Sequence, residues 1–366
     1  MEDVLTENIM FDVLSRLPFK TLIYCKCVCK KWRDLVSDLY FVHLHHSKSP
    51  QCLLIHQYRV IEWVDIEQEV DHQRLTLNHV KSLNLNFCKG SFGYPRIQVG
   101  SVNGLICVCH PYYAPYIFNP VVGEYMFIPK PRSNLVSLSY GFGVSTAGEY
   151  KVIRICCNTI SIEIEVYTLG TWKWRHLRQA PCNLESIRHG LFLNGHVYWI
   201  AKGQIYDFDL NTETFELFPS PPGDNEESKQ VLGVLKGRLS RFSWSSLGLT
   251  VWVMKECWCK AIAMIQENIN PFLKSQECGP MCLIDDGLKG VGILIIRMAD
   301  EVVAYCLNMN MILHLNFSCL LNTIMTYRPS FLKLENVGSE YVEIKDYKLQ
   351  IKPKNTKKVI IFNRRA

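Results

Sequence analysis

Four pairs of apolar residues recur along this chain with the same separation of seven positions. The pairs are Phe118 and Tyr125, Tyr167 and Trp174, Phe208 and Phe215, and Tyr305 and Ile312. A β-hairpin with a polar turn explains this spacing, because residues opposite each other on antiparallel strands point to one face of the sheet. Three tight turns are also predicted, because glycine supplies the positive φ that such turns need. Their sequences are Asn103-Gly104, Asn194-Gly195 and Lys236-Gly237.

The period of these hairpins constrains the architecture further. The first three copies lie ~40 to 50 residues apart, and all-β units of that length are typical of a β-propeller, whose four-stranded blades bury their faces against each other. Residues 52–334 are long enough for six or seven blades of ~40 to 45 residues each. A large β-sandwich is the alternative, and it explains the recurrence less well.

The first 46 residues follow a helical pattern instead. Apolar residues recur at three-to-four spacing in two series separated by Pro18: Ile9, Met10, Val13, Leu14 and Leu17, then Leu22, Cys25, Val28, Trp32, Leu35 and Val36. Forty-odd residues enclose little core alone, so we expect a partner to cover the exposed part of this apolar surface. The sequence therefore predicts an α+β multidomain chain. Its parts are a helical unit (1–46), a linker (47–51), an all-β propeller (52–334) and a basic tail (335–366).

Charge and targeting signals restrict the partners. The net charge is +6, and residues 345–366 carry eight basic side chains against one acid, Asp346. We interpret this tail as solvated and do not favour a nucleic-acid role, because no basic stripe with interleaved aromatics precedes it. The chain shows no secretory pattern, and its longest apolar run, residues 291–296, is far shorter than the ~18 residues of a membrane helix. We expect an intracellular protein of the nucleus or cytoplasm with reduced cysteines and no membrane contact.

The helical unit resembles an F-box. The matching pieces are Leu5, Ile9-Met10, Val13-Leu14-Ser15-Arg16-Leu17-Pro18, Leu22, Cys27-Val28-Cys29-Lys30-Lys31-Trp32-Arg33, Leu35, Asp38, Phe41 and Leu44. The chain departs from the family pattern where Thr6 follows Leu5 in place of the usual proline. The resemblance implies binding to a Skp-type adaptor and, through it, to a cullin. The implied adaptor contacts are Leu5, Ile9, Leu14, Leu17, Pro18, Leu22, Cys27, Val28, Trp32 and Leu35.

The rest of the chain is similar to the F-box-associated, kelch-like propeller domain of plant F-box proteins. Supporting motifs include Ser101-Val102-Asn103-Gly104-Leu105, Phe118-Asn119-Pro120, Trp172-Lys173-Trp174 and Tyr198-Trp199. The resemblance implies a non-catalytic substrate-recognition subunit of a Skp-cullin-F-box ubiquitin ligase, whose propeller binds a target protein for ubiquitination. The residues that bind the target are unknown. A non-degradative F-box scaffold and a sugar-binding propeller are the alternatives.

Motifs for metal sites and catalysis are weak. Cys25, Cys27 and Cys29 cluster, as do Cys107, Cys109 and His110, but the Cys-x-x-Cys spacing of structural zinc sites is absent. The sequence also lacks a Gly-x-Ser-x-Gly elbow, a His-Glu-x-x-His motif and a phosphate loop. Adjacent Asp285 and Asp286 would point to opposite faces of a strand. We therefore predict no catalytic residue, no metal and no cofactor.

Two further groups are interpreted as structural. Trp172, Trp174, Trp199 and Trp252 are predicted to fill the cores of blades rather than to form a sugar-stacking platform. His43, His45 and His46 are predicted to form an exposed helix end. The acidic loop at residues 219–229 is a candidate for target contact, with a solvated connection as the default interpretation.

Overall fold

Four helices precede the strands in this computed structural model. They are α1 (Glu2–Ser15), α2 (Phe19–Val28), α3 (Lys30–Ser37) and α4 (Leu39–Lys48). Pro18 has φ −56° and ψ 144°, which is extended backbone, and it separates α1 from α2. The structure describes residues 2–57, 60–68, 74–84, 98–109, 114–131, 136–157, 162–177, 189–222, 229–245, 248–265, 279–286, 291–298, 301–306, 311–314, 323–337, 345–346 and 357–361.

The remaining described elements are strands and one 3-10 helix, Leu334–Val337. The first half has β1 (Cys52–Gln57), β2 (Val60–Gln68), β3 (Arg74–Asn84), β4 (Gln98–Val102), β5 (Leu105–Cys109), β6 (Tyr116–Asn119), β7 (Glu124–Phe127), β8 (Val136–Val144), β9 (Tyr150–Cys157), β10 (Ile162–Thr168), β11 (Trp174–Leu177), β12 (Leu191–Leu193) and β13 (His196–Ala201). The second half has β14 (Gln204–Asp209), β15 (Thr214–Phe218), β16 (Lys229–Leu235), β17 (Arg238–Ser245), β18 (Gly248–Met254), β19 (Trp258–Ile265), β20 (Gly279–Asp286), β21 (Val291–Met298), β22 (Glu301–Cys306), β23 (Met311–His314), β24 (Thr323–Tyr327), β25 (Lys345–Asp346) and β26 (Lys357–Ile361).

These strands form antiparallel sheets in a ring, so the fold is four N-terminal helices followed by a β-propeller. Sheet I has the order β24-β1-β2-β3-β26, sheet II β4-β5-β6-β7-β25, sheet III β8-β9-β10-β11, sheet IV β12-β13-β14-β15, sheet V β16-β17-β18-β19 and sheet VI β20-β21-β22-β23. The innermost strands β24, β4, β8, β12, β16 and β20 contact each other in that order, and β20 contacts β24. The sequence predicts six or seven blades without deciding between the two numbers. A seventh sheet is not present among the residues that the structure describes.

Four of the six sheets contain a hairpin predicted from the seven-residue spacing. In each of the four pairs the two residues lie directly opposite each other across neighbouring strands: Phe118 and Tyr125, Tyr167 and Trp174, Phe208 and Phe215, and Tyr305 and Ile312. The predicted tight turns also have positive φ at both central residues, for example 51° at Asn103 and 81° at Gly104. Lys202-Gly203 forms a further turn of this kind, which is not among the predicted turns.

Sheet I is built from distant parts of the propeller sequence. Its inner strand β24 comes from the end of the propeller and pairs with β1 at its beginning, with Cys52 opposite Tyr327. Two short tail segments add outer strands, because β25 pairs with β7 of sheet II and β26 pairs with β3 of sheet I. The expectation of a solvated tail is therefore wrong for these two segments. Backbone pairing holds them, and charge composition does not report such pairing.

Candidate protein-binding surface

The helices expose an unusual share of apolar side chains. Ten large apolar side chains are exposed in the part of the chain that the structure describes, and seven of them belong to the helices. They are Ile9, Val13, Ile23, Tyr24, Val28, Leu39 and Tyr40. Large apolar side chains that stay exposed on one small unit are typical of a surface that binds another protein. We call these seven side chains the exposed apolar surface.

The exposed apolar surface exists because α1 and α2 are apolar on more than one side. In α1, Leu14 is buried and Phe11 packs against the same core, whereas Ile9 and Val13 stay exposed. In α2, Leu22 and Cys25 are buried, whereas Ile23, Tyr24 and Val28 are exposed. A surface helix of a self-contained domain shows one apolar stripe. The second apolar side of these helices therefore has no counterpart within the described residues.

The predicted adaptor contacts fall into three groups in the structure. Ile9, Pro18, Cys27 and Val28 are exposed, and Leu17 and Trp32 are half-buried. Leu14, Leu22 and Leu35 are buried in a core shared with the propeller, so their side chains do not reach the surface in this arrangement. Leu5 lies in α1, and its side chain is outside the described residues. The structure thus brings only part of the predicted set to the exposed side of the helices.

The other side of the helices packs on the propeller. The Phe19 ring stacks on the Trp63 ring of sheet I, with ring centroids 4.7 Å apart and planes at 18°. Trp63 is buried and makes an edge contact with Tyr327 at 5.3 Å between centroids. Beside this stack, Lys20 Nζ lies 3.1 Å from Asp65 Oδ2. The helices therefore sit at the end of the ring where β24 stops and β1 begins.

Histidines of α4 belong to this packed side. His45 is buried, and its Nε2 donates to the Leu17 carbonyl oxygen at 3.0 Å, which fixes the turn before Pro18. His46 Nδ1 donates to the Pro329 carbonyl oxygen at 3.3 Å. Burial lowers the pKa of His45 and lowers the pKa of His46 to about 4, so both rings are neutral at neutral pH. The predicted exposed helix end is therefore wrong for His45, because its ring makes contacts that a sequence pattern does not reveal.

The helices also expose charged side chains. Arg16 Nη2 lies 2.7 Å from Asp12 Oδ2, and Lys48 Nζ lies 3.6 Å from the other oxygen of that carboxylate. The hydrogen bond from Arg16 lowers the pKa of Asp12. Lys30, Lys31 and Arg33 are exposed in α3. The helices thus expose both apolar and charged side chains, and many protein–protein interfaces contain both kinds.

The cysteine clusters are the candidate metal ligands of the chain. Within the described residues, no group of three or more His, Cys, Asp or Glu side chains could hold a metal ion. Cys25 is buried in the core while Cys27 and Cys29 are exposed, so these three do not converge. Cys107 and Cys109 are buried with their sulfur atoms 3.5 Å apart, and burial raises the pKa of the Cys109 thiol. His110 and the side chains of Asp285 and Asp286 lie outside the described residues.

The tryptophans divide between core and surface. Trp199 is fully buried, as predicted, and Trp252 is half-buried. Trp174 is half-buried and its Nε1 donates to the Pro129 carbonyl oxygen at 2.7 Å. Trp172 is exposed in a turn with φ 60°, so the prediction that it fills a blade core is wrong. Most of the predicted contact loop at 219–229 lies outside the described residues.

Comparisons with known proteins agree with this two-part organisation. Residues 4–44 match the model of the F-box domain, and residues 53–288 match the model of the F-box associated beta propeller domain. F-box protein At3g07870 of Arabidopsis thaliana is 25% identical over 349 residues, covering 77% of this chain and 81% of the relative. F-box/kelch-repeat protein At3g23880 of the same plant is 25% identical over 293 residues, covering 70% of this chain and 78% of the relative. None of the described helices combines the length and apolar character that crossing a bilayer requires.

Proposed function

Because this chain belongs to the family of F-box proteins with an F-box associated beta propeller domain, we propose that it is the substrate-recognition subunit of a Skp-cullin-F-box ubiquitin ligase. In this proposal residues 1–46 bind a Skp-type adaptor, which links the chain to a cullin, and residues 52–334 bind a target protein. The observation that carries the proposal is the exposed apolar surface of the helices. An apolar helical surface is suited to packing against helices of another protein.

The burial of the predicted contact residues supports a division of that set into two groups. We assign direct contact to the exposed or half-buried members of the predicted set, which are Ile9, Leu17, Pro18, Cys27, Val28 and Trp32. The buried members Leu14, Leu22 and Leu35 support the surface from below by holding the helices on the propeller. Exposed Tyr24 and Tyr40 join the contact set, because tyrosine is enriched where interfaces bury one end of a ring.

The proposed role of the propeller is to hold a target beside the ligase. The helices occupy the end of the ring where β24 and β4 both stop, and Tyr327 Oη donates there to the Gly104 carbonyl oxygen at 3.2 Å. The ring stack and the ion pair of the helices with described residues of sheet I lie at this end, and we assign target binding to the opposite end, where these inner strands begin. The chain itself would perform no chemistry. It would raise the effective concentration of target lysines near the conjugating enzyme.

A binding experiment with matched variants tests the adaptor contact. Ile9→Asp and Val28→Asp each place a carboxylate in the exposed apolar surface, whereas Leu217→Asp places one on an equally exposed side chain of sheet IV. The exposed fractions of Ile9 and Leu217 are 61% and 62%, so the perturbations are comparable. We expect the two helix variants to lose binding to a purified Skp-type adaptor and the Leu217 variant to keep it. Unchanged binding by both helix variants would overturn the assignment.

The degradative role is tested separately. If the chain delivers targets for degradation, proteins that co-purify with it should accumulate when Ile9→Asp replaces the wild-type chain in cells. Unchanged levels of every bound protein would favour the non-degradative scaffold. This readout distinguishes the two roles even when both require the adaptor.

A further inference from the structure

Residues 328–337 lie between the helices and the propeller, and we call them the closing segment. They follow β24, the inner strand that completes sheet I. Ser330, Phe331, Leu332 and Leu334 of this segment are buried. It therefore runs through the interior between the helices and the propeller rather than over the surface.

On its propeller side the closing segment is held by sheet II. The side chain of Asn119, itself fully buried, donates from Nδ2 to the carbonyl oxygens of Ser330 at 2.9 Å and Leu332 at 2.7 Å. The backbone N–H of Leu334 donates to Glu124 Oε2 at 2.8 Å. These bonds satisfy polar backbone groups that would otherwise be buried without partners. The position of the segment is thus fixed by side chains at the turn between β6 and β7.

Gly104 provides a second constraint on the same position. A Cβ atom there would overlap Ser330 Cβ and lie 2.9 Å from the Ser330 backbone nitrogen. The β4–β5 turn can therefore approach the closing segment only because residue 104 has no side chain. Gly104 also has φ 81°, which its hairpin turn requires.

On its other side the closing segment supports the helices. The Phe331 ring lies 5.9 Å from the His45 ring of α4 between centroids, and Lys26 Nζ of α2 lies 5.4 Å from the centre of the Phe331 ring. Pro329 accepts the hydrogen bond from His46. Phe331 and Leu332 share one apolar core with the buried leucines of the helices. The helical unit is too small to form such a core alone.

We propose that the closing segment couples closure of the propeller ring to adaptor binding. Pairing of β24 with β1 places the closing segment on sheet II, where it stabilises the arrangement of the helices that binds the adaptor. Gly104, Asn119 and Phe331 are then positioning residues for a surface that none of them touches. The adaptor part of this inference rests on the proposed function, whereas the coupling between ring closure and helix order does not.

A pair of glycine variants tests the coupling. Gly104→Ala and Gly237→Ala both place alanine at a positive φ, 81° and 70°, but only the first meets a neighbour, because nothing lies within 4 Å of a Cβ at residue 237. We expect Gly104→Ala to increase amide hydrogen exchange in α2 and α4 by about tenfold and to weaken binding to a purified Skp-type adaptor by about tenfold. Exchange in sheet IV should stay unchanged. Gly237→Ala should leave helix exchange and adaptor binding at wild-type values.

The outcomes separate the coupling from the proposed function. Equal helix exchange in the two glycine variants would overturn the coupling. Altered exchange in Gly104→Ala, together with a wild-type chain that does not bind the adaptor, would support the coupling and contradict the proposed function. If Gly104→Ala does not fold, Phe331→Ala is compared with Phe208→Ala, which truncates a buried ring in sheet IV. Only Phe331→Ala should release the helices, and Phe331→Leu should largely restore them.

Discussion

Leu22→Ala and Ile9→Ala should have different effects, because Leu22 stabilises the packing of the helices and Ile9 is proposed to contact the adaptor directly. The sequence placed both residues in one set of adaptor contacts, but Leu22 is fully buried and Ile9 is 61% exposed. Truncating Leu22 removes three carbon atoms from the core, a transfer loss of about 2.4 kcal/mol at ~0.8 kcal/mol for each group. With the cavity left behind, we expect the free energy of unfolding to fall by ~3 to 5 kcal/mol.

Ile9→Ala removes the same number of carbon atoms from a side chain that is already mostly in water. We expect its free energy of unfolding to stay within ~0.5 kcal/mol of the wild type. Its affinity for the adaptor should nevertheless fall by about tenfold, because truncating a central interface residue costs more than ~1 kcal/mol of binding.

The free energy of unfolding is measured by urea unfolding of the full chain, monitored by far-ultraviolet circular dichroism. The affinity is measured by calorimetric titration with a Skp-type adaptor. The helices contribute most of the helical signal, so their unfolding is observed directly. The reasoning is refuted if Leu22→Ala has wild-type stability, or if Ile9→Ala destabilises the helices as much as Leu22→Ala does. Either result would mean that the helices do not bury the side identified in the structure.

Two further predictions concern ionisable side chains. Because the folded-state pKa of His46 is about 4 and the unfolded value is about 6.5, the unfolded chain binds more protons between these values, so stability should fall as the pH drops from about 6.5 towards 4. His46→Gln should show a shallower fall in urea unfolding free energy over the same pH range, and an identical slope would contradict the assignment. Arg154 and Glu165 form a buried ion pair on sheet III, so Arg154→Met should lower the unfolding free energy by ~3 to 5 kcal/mol by removing the guanidinium that faces the buried Glu165 carboxylate, which His176 Nε2 also approaches to 3.3 Å. The double variant Arg154→Met with Glu165→Leu should recover much of that loss, and full additivity of the two single changes would argue against the pair.

The hairpins could be predicted because the sequence records them directly. Opposed residues such as Phe208 and Phe215 must both be apolar to fill the space between neighbouring sheets, and the turn at Asn194-Gly195 needs residues that tolerate positive φ. The local spacing of residues was therefore enough to predict hairpins in most of the sheets of the propeller. The number of sheets was left open because the connections differ in length.

The buried side of the helices could not be predicted in the same way. Leu14 and Ile9 are both apolar residues at helical spacing in α1, and only contacts with the distant Phe331 and Leu332 decide which side is covered. His45 and the tail strand β26 were missed for a related reason. Their positions depend on hydrogen bonds to backbone groups, and these leave no pattern of polarity in the sequence.

The pairing of β24 with β1 has a consequence for synthesis on the ribosome. The helices emerge first, yet the segment that completes their packing emerges almost three hundred residues later. At roughly 5 to 20 residues per second, the apolar sides of α1 and α2 wait on the order of fifteen seconds to a minute without their internal partner. A nascent chain of this kind has a long period in which chaperones or the adaptor itself can shelter its first helices.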